Sequence, residues 1–239
     1  MTDIYDPAFV KDVFDRCGRN YRWWSMVASF GFVAIWRRQC VSALPPMPCE
    51  RPHGVDMMAG TGEVWGPLIR RHPRIASITA IDISTEMHRQ AVARLHRSRS
   101  DRIRHLEIDA LANNLPTGTA DFLISTFGMK TFNAAQHAKF AVEVARVLKP
   151  GGVFAIIEAS DPEGWPLRSL YLFHLEKVLP WIEYLFLRGA QDFAMIGQYT
   201  RNFGDCSGLA EELRGQGLEV TFRRHFFGCA TSVAGRKPG

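Results

Sequence analysis

His53-Gly-Val-Asp-Met-Met-Ala-Gly-Thr-Gly-Glu63 reads as a short apolar strand that runs into a glycine turn and on toward a helix, the local form of a nucleotide-cofactor loop. Gly60 and Gly62 are expected to remove side chains where the backbone passes close to a ligand. Asp56 puts a carboxylate on the strand just before the turn. A dinucleotide fingerprint needs glycine at its first, third and sixth positions, so that the helix start can approach a pyrophosphate. Here the sixth position is Trp65, and Gly66 comes one residue late. The turn therefore suits a nucleoside with a cationic tail better than a pyrophosphate dinucleotide.

Working outward, the next apolar run, Ser77-Ile-Thr-Ala-Ile-Asp82, ends in a carboxylate placed to accept hydrogen bonds from two ribose hydroxyls. A third run, Ile103 to Asp109, ends in another, placed to meet an adenine amine. Strands near 54–58, 77–82, 103–108, 120–126 and 152–158 alternate with helices near 63–71, 84–97 and 134–147, and a hairpin near 218–235 closes the chain. That alternation predicts an α/β fold with a doubly wound, mostly parallel seven-stranded sheet. Ligands of such sheets bind at the carboxyl ends of strands near the switch in strand order, where Asp56, Asp82, Asp109 and Phe127 fall. With 239 residues, 46% of them hydrophobic and 22% charged, the chain is expected to form one domain with a full core. Leu44-Pro-Pro-Met-Pro-Cys-Glu50 marks the boundary between a helical N-terminal cap, 1–46, and a core, 52–160. A segment at 161–205 is expected as a substrate lid, followed by a helix and hairpin at 206–239.

Together these residues resemble the cofactor series of class I S-adenosylmethionine-dependent methyltransferases, whose fold is Rossmann-like. A narrower resemblance runs nearly end to end. Val10-Lys-Asp-Val-Phe-Asp15, Ser29-Phe-Gly31, Trp36-Arg37, Leu115-Pro116, Phe127-Gly128, Val144-Ala-Arg-Val-Leu-Lys-Pro-Gly-Gly152, Glu158 and the tail Phe227 to Pro238 resemble the UbiE/COQ5-type ubiquinone/menaquinone C-methyltransferases. The resemblance implies S-adenosylmethionine as cofactor and S-adenosylhomocysteine as product. It implies a cofactor site of Asp56, Ala59, Gly60, Thr61, Gly62, Asp82, Ile83, Met87, Asp109, Ala110, Thr126 and Phe127, with no metal. The chain departs from the family at Tyr21-Arg22 and Ser25, where Tyr-Asp and a nearby Asn are usual, and at Phe127-Gly-Met-Lys-Thr131, where Phe-Gly-Leu-Arg-Asn is usual. Both places face donor or acceptor in the family fold, so a redirected acceptor or proton-transfer group is expected.

The implied reaction is methyl transfer to a hydrophobic small molecule, with C-methylation of an aromatic, quinol or polyprenoid acceptor first. N- or O-methylation of a phospholipid or small molecule, or cofactor binding without methyl transfer, are the alternatives. Nucleic-acid methylation is disfavoured: the run after the fourth strand is Ser125-Thr-Phe-Gly-Met-Lys130 rather than Asp/Asn-Pro-Pro-aromatic, and Pro48-Cys49 precedes the first strand. A nicotinamide oxidoreductase lacks support in a chain without Tyr-x-x-x-Lys. The acceptor pocket is expected from the first fifty residues, with Tyr21, Trp23, Trp24 and Phe30, and from the aromatic segment Trp165, Tyr171, Phe173, Trp181, Tyr184, Phe186, Phe193, Tyr199 and Phe203. An ordinary helical core is the alternative for most of these rings. Lys130, His174 and Tyr199 are the candidate catalytic groups, Lys130 because it replaces the family's arginine and His174 because an imidazole titrates near neutral pH.

The formal charge of +5 and the arginines at 16, 19, 22, 37, 38, 94, 97, 99, 223 and 224 suit an anionic membrane surface or simply solvated helix faces. The longest apolar run, Ser25 to Trp36, falls short of the ~20 residues that span a bilayer. The opening Met-Thr-Asp-Ile-Tyr-Asp-Pro lacks the basic start of a secretory signal. A cytoplasmic protein is expected, peripheral to the inner face of the membrane or free of it, as monomer or homodimer. Five scattered cysteines, with no Cys-x-x-Cys pair, are expected to be reduced.

Overall fold

A computed structural model describes residues 3–98, 100–186 and 195–239. Arg99 and Phe193, named above, lie outside the described residues, as do the side chains of Arg19 and Phe186. Seven strands form one sheet: β1 (His53–Met57), β2 (Ser77–Asp82), β3 (Ile103–Glu107), β4 (Ala120–Thr126), β5 (Leu148–Ala159), β6 (Glu219–His225) and β7 (Ala230–Arg236). Their order is β3-β2-β1-β4-β5-β7-β6. Only β7 runs antiparallel to its neighbours β5 and β6. The order reverses between β1 and β4, which opens a crevice at their carboxyl ends.

The two faces of the sheet carry separate apolar layers, as expected of parallel strands covered on both sides. On one face α2 (Phe32–Ala43), α3 (Trp65–Arg71) and α4 (Thr85–Ser98) bring Val33, Trp36, Cys40, Leu68 and Ala91 against Ile78, Phe122, Ile124 and Ala155. On the other, α5 (Ala134–Val147) and α9 (Ser207–Gly215) bring Phe140, Val144, Leu209 and Leu213 against Val55, Leu123 and Phe154. The start of α5 is set by a capping box in which Asn133 and Gln136 satisfy each other's backbone N–H groups. Gly54 is needed where β1 passes Phe122, since a Cβ there would lie 1.9 Å from the ring.

A third, smaller apolar cluster lies outside the sheet layers. Helix α1 (Pro7–Ala28) contributes Val13, Cys17 and Trp24, which pack on Leu175 and Leu179 of the segment after β5. That segment consists of α6 (Arg168–Phe173), a π-helical turn His174–Val178, α7 (Leu179–Phe186) and α8 (Met195–Phe203). Among the described residues no helix is long and apolar enough to cross a membrane.

Candidate active site

The β1–α3 turn, the ends of β2 and β4, and the N-terminal helices enclose a cleft lined by Ala59, Gly60, Asp82, Ile83, Met87, Asp109, Ala110, Thr126 and Phe127, together with Phe14, Tyr21, Arg37 and Glu63. The first nine are expected cofactor residues. Asp82 is locked by backbone: Oδ2 accepts from Gly60 N at 2.8 Å and Oδ1 from Ser84 N at 2.9 Å. Each oxygen keeps a second lone pair able to accept a further hydrogen bond. Asp109 is oriented by Leu111 N at 2.9 Å. Gly60 has φ +55°, a left-handed conformation that carries the backbone round the turn. The buried His105 braces this turn. Its Nε2 is 3.2 Å from the Gly60 carbonyl and its Nδ1 2.9 Å from Nδ1 of His88. Burial pulls the His105 pKa down to about 4, so the ring is neutral, Nε2–H donates to Gly60 O, and Nδ1 accepts from His88.

Three expected cofactor residues have other duties. Asp56 is fully buried, and its Oδ2 accepts from Trp65 Nε1 at 2.8 Å. Desolvation raises its pKa to about 8, against the opposing effect of the indole hydrogen bond, so at neutral pH the group is largely a protonated acid. The Cβ that Gly62 lacks would lie 2.3 Å from the Trp65 ring. Gly62 therefore makes room for tryptophan rather than for a ligand. The Thr61 hydroxyl donates to the Glu63 carboxylate, and its side chain borders an outward groove with Arg22 and Arg94. The residue that spoiled a dinucleotide fingerprint is thus the residue that organises the floor of this turn.

A second, larger cavity of about 440 Å³ adjoins the first. Val13, Cys17, Phe30, Val33 and Trp36 line it from the N-terminal helices, and Trp165, Leu170, Phe173, Leu175 and Val178 from the segment after β5. Phe226 and Cys229 of the β6–β7 turn complete it, a contribution that sequence reading did not anticipate. Phe14, Tyr21, Phe127 and Thr131 line both cavities, so the two meet there. Phe127 takes φ +64°, which is uncommon for an aromatic residue and is held by its N–H to Ile157 O at 2.9 Å. Among the expected aromatics, Trp24 of α1 is core, clustered with Leu175 and Leu179, whereas Trp23 and Tyr184 are exposed.

The three catalytic candidates all line this cavity, with different chemistry. Lys130 is buried; its Nζ donates to Glu158 Oε1 at 2.9 Å and approaches Phe127 O at 3.4 Å. Burial alone would lower its pKa, but the Glu158 carboxylate outweighs this and holds the ammonium above the usual lysine range. Lys130 is therefore a fixed cation, not the proton acceptor expected of it. Glu158 also accepts from Lys130 N and Ala159 N, which locks the pair. The Tyr199 hydroxyl donates to Ile4 O at 2.6 Å, and burial pushes its pKa up to about 12, so it ties down the N-terminal segment. His174 Nε2 is 3.2 Å from Ala28 O, its ring stacks on Phe30 at 4.6 Å, and burial lowers its pKa. A neutral ring that donates from Nε2 keeps the Nδ1 lone pair, as a proton acceptor requires.

A strand-end nucleoside cleft that opens sideways into an apolar cavity is the arrangement of a group transferase with a greasy acceptor. The sequence pattern of the ubiE/COQ5 methyltransferase family matches residues 1–237. The chain belongs to the ubiE/COQ5 methyltransferase family. The demethylmenaquinone methyltransferase of Lactiplantibacillus plantarum is 26% identical over 230 residues, covering 95% of each chain. The ubiquinone/menaquinone biosynthesis C-methyltransferase of Geotalea daltonii is 34% identical over 180 residues, 74% of each chain. Among solved structures, an S-adenosylmethionine-dependent methyltransferase of Thermotoga maritima superposes with TM-score 0.63 at 19% identity, covering 95% of this chain and 99% of that one. A Haemonchus contortus phosphoethanolamine N-methyltransferase solved with S-adenosylhomocysteine gives 0.64 at 15%, covering 100% and 61%. These two likenesses are likenesses of fold. As a member of this family, the chain is an enzyme that takes its methyl group from S-adenosylmethionine. The cleft suits that donor: the left-handed Gly60 turn leaves open space, two strand-end carboxylates line it, and a buried Arg37 Nε lacks a hydrogen-bond partner among the described residues.

Proposed function

We propose that this family member C-methylates a reduced quinone, a hydroquinone carrying a polyprenyl tail, of the kind named in its demethylmenaquinone methyltransferase relatives. The observation that carries this reading is the apolar cavity that joins the cofactor cleft at Tyr21, Phe127 and Thr131 and has the Lys130 ammonium in its wall. A charged phosphoethanolamine would lose hydration in such walls without gaining partners, whereas an aromatic ring and prenyl chain gain about 25 cal/mol per Å² of apolar surface removed from water. In the nucleoside cleft, Asp82 accepts the ribose hydroxyls and Asp109 the adenine amine, with Ala59, Gly60, Ile83, Met87, Ala110, Thr126 and Phe127 shaping the walls.

When bound, S-adenosylmethionine supplies an already activated methyl group, and alignment and exclusion of water remain for the protein. His174 Nδ1 takes the proton of the acceptor hydroxyl. Lys130 stabilises the phenolate oxygen, whose charge passes to the neighbouring ring carbon. That carbon would form the new C–C bond as the methyl–sulfur bond breaks and S-adenosylhomocysteine leaves; its own proton then passes to water, which restores the aromatic ring, and His174 returns its proton to the phenolate oxygen. Tyr21 and Phe127 hold the ring plane at the junction. The N-terminal cap and the lid, 161–205, close over the acceptor within one methyltransferase domain.

Substrate entry is the finer part of this proposal. Phe30 is 76% exposed, and with Leu167, Leu170, Phe173 and Phe226 it is both exposed and part of the cavity wall. Arg223 and Arg224 are separated from Phe226 and Phe227 in sequence by His225 alone. An anionic bilayer that stores the prenyl quinol meets such a rim with both its headgroups and its chains. The decisive measurement is incubation with methyl-labelled donor and a short-prenyl demethylmenaquinol under reducing conditions, with the label located by NMR. A ring methyl is expected; label found on oxygen or nitrogen, or on no quinol, ends the proposal.

A further inference from the structure

Arg37 does not belong to the solvated surface to which the arginine pairs were assigned from sequence. It is 6% exposed, lines the cofactor cleft from α2, and its Nε has no hydrogen-bond partner among the described residues. Its guanidinium carbon lies 5.3 Å from the Phe127 ring centroid. The ion pair it makes, NH2 to Glu63 Oε2, is long at 3.9 Å. Burying a guanidinium with an unmatched N–H is costly unless another anion completes its set. Glu63 lines the same cleft and divides its two oxygens unequally. Oε1 is engaged by the Thr61 hydroxyl and by Arg94 at 3.8 Å, while Oε2 has the distant Arg37. A cation and an anion, loosely paired at 3.9 Å, thus line the same cleft.

We propose that Arg37 and Glu63 form a clamp for the zwitterionic amino-acid end of the methyl donor, the guanidinium taking the α-carboxylate and Glu63 Oε2 the α-ammonium. The inference rests on the methyl-donor reading of the cleft. It leaves Asp56 out of that clamp, since Asp56 is fully buried, with Oδ2 held by Trp65, and does not line the cleft. It also ties donor binding to the N-terminal cap, because α2 carries Arg37 and its neighbour Trp36 lines the acceptor cavity. A planar fork matches a carboxylate with two parallel hydrogen bonds, which an ammonium at the same place cannot reproduce.

The test compares ligands that differ only at that end, by calorimetry on the full chain. Wild-type protein should bind S-adenosylhomocysteine more tightly than its decarboxylated analogue, by about tenfold to a hundredfold, as a charge-assisted contact gives. Arg37→Met should erase that preference while leaving the affinity for methylthioadenosine, which lacks the amino-acid end, within about threefold. Arg37→Lys should restore part of it. Glu63→Gln should erase the preference over the des-amino analogue. Equal wild-type affinity for S-adenosylhomocysteine and its decarboxylated analogue overturns the clamp without needing any variant, and so does equal loss of both nucleosides in Arg37→Met protein that keeps its melting transition. Failure of wild-type protein to bind any of these nucleosides overturns the donor reading itself, and the clamp with it.

Discussion

The two cavities of this methyltransferase are built by opposite strategies. The cofactor cleft is made at strand ends by short polar segments whose side chains are oriented by local backbone: Asp82 by Gly60 N and Ser84 N, Asp109 by Leu111 N. The acceptor cavity has almost no such wiring. Its wall comes from α1, α2, the π-helical turn and the β6–β7 turn, far apart in sequence and held together by apolar packing. A nucleoside offers many hydrogen-bonding groups at fixed distances, so its site needs directional partners on a rigid sheet. A prenyl ring offers surface, and surface can be enclosed by many combinations of residues. The first kind of site therefore leaves a spaced signature in the chain, and the second leaves mainly composition.

Exchanging the buried lysine of the acceptor wall tests that contrast most severely. Lys130→Met should lower turnover by about 10²–10⁴-fold while S-adenosylhomocysteine affinity is retained. Because it leaves Glu158 buried without its ammonium, Lys130→Met with Glu158→Gln is the stability-matched comparison. Turnover that stays near normal in folded double variant would remove Lys130 from the chemistry. His174→Phe should cost less, roughly ten- to a hundredfold, and should abolish the acid limb of the pH–rate profile. An unchanged limb assigns that proton to another group.

On the cofactor side, Asp82→Ala should weaken S-adenosylhomocysteine binding by on the order of 1–3 kcal/mol, since it removes both the ribose partner and the Gly60 anchor. Binding equal to wild type in calorimetry would mean that the ribose lies elsewhere. Asp56→Asn has the smallest expected effect and concerns stability alone. Its carboxyl is raised from the ordinary range to about 8 in the folded chain, so the native state keeps a proton that the unfolded state loses above about pH 4. Stability from this group is complete at low pH and declines as pH rises through 8. The asparagine variant, which cannot ionise, should gain on the order of 1–3 kcal/mol relative to wild type between pH 5 and pH 8, read from denaturant melts. Parallel curves for the two proteins would mean that Asp56 is an ordinary carboxylate.

How much was legible differs residue by residue. The strand at 120–126 and the helix at 134–147 were readable, because the apolar run Phe122-Leu-Ile124 and the helical spacing of Phe140, Val144 and Val147 are local signals. Asp82 and Asp109 were readable as strand-end acids. Asp56 was assigned to the ligand because it occupies the expected place in the motif; its carboxylate instead turns inward to Trp65, a contact between residues nine apart that spacing does not reveal. Lys130 stood out by its position after the fourth strand, but its pairing did not, since its partner Glu158 is supplied by the next strand. Arg37 was grouped with surface arginines, although Trp36-Arg37 stood among the quoted family matches, and only packing against Phe127 and Glu63 identifies it as buried.

The amino-acid sequence by itself determined the sheet, its switch point, the family and the chemistry of the methyl donor. Each of these depends on periodicity, turn residues and strand-end acids, properties of contiguous stretches. Tertiary structure alone decided which buried groups carry charge and where the acceptor cavity opens. Protonation state follows from desolvation and from partners contributed by other elements, as with Lys130 beside Glu158 and Asp56 beneath Trp65. The cavity follows from how α1, the segment after β5 and the β6–β7 turn pack together, and no single stretch of chain contains that information.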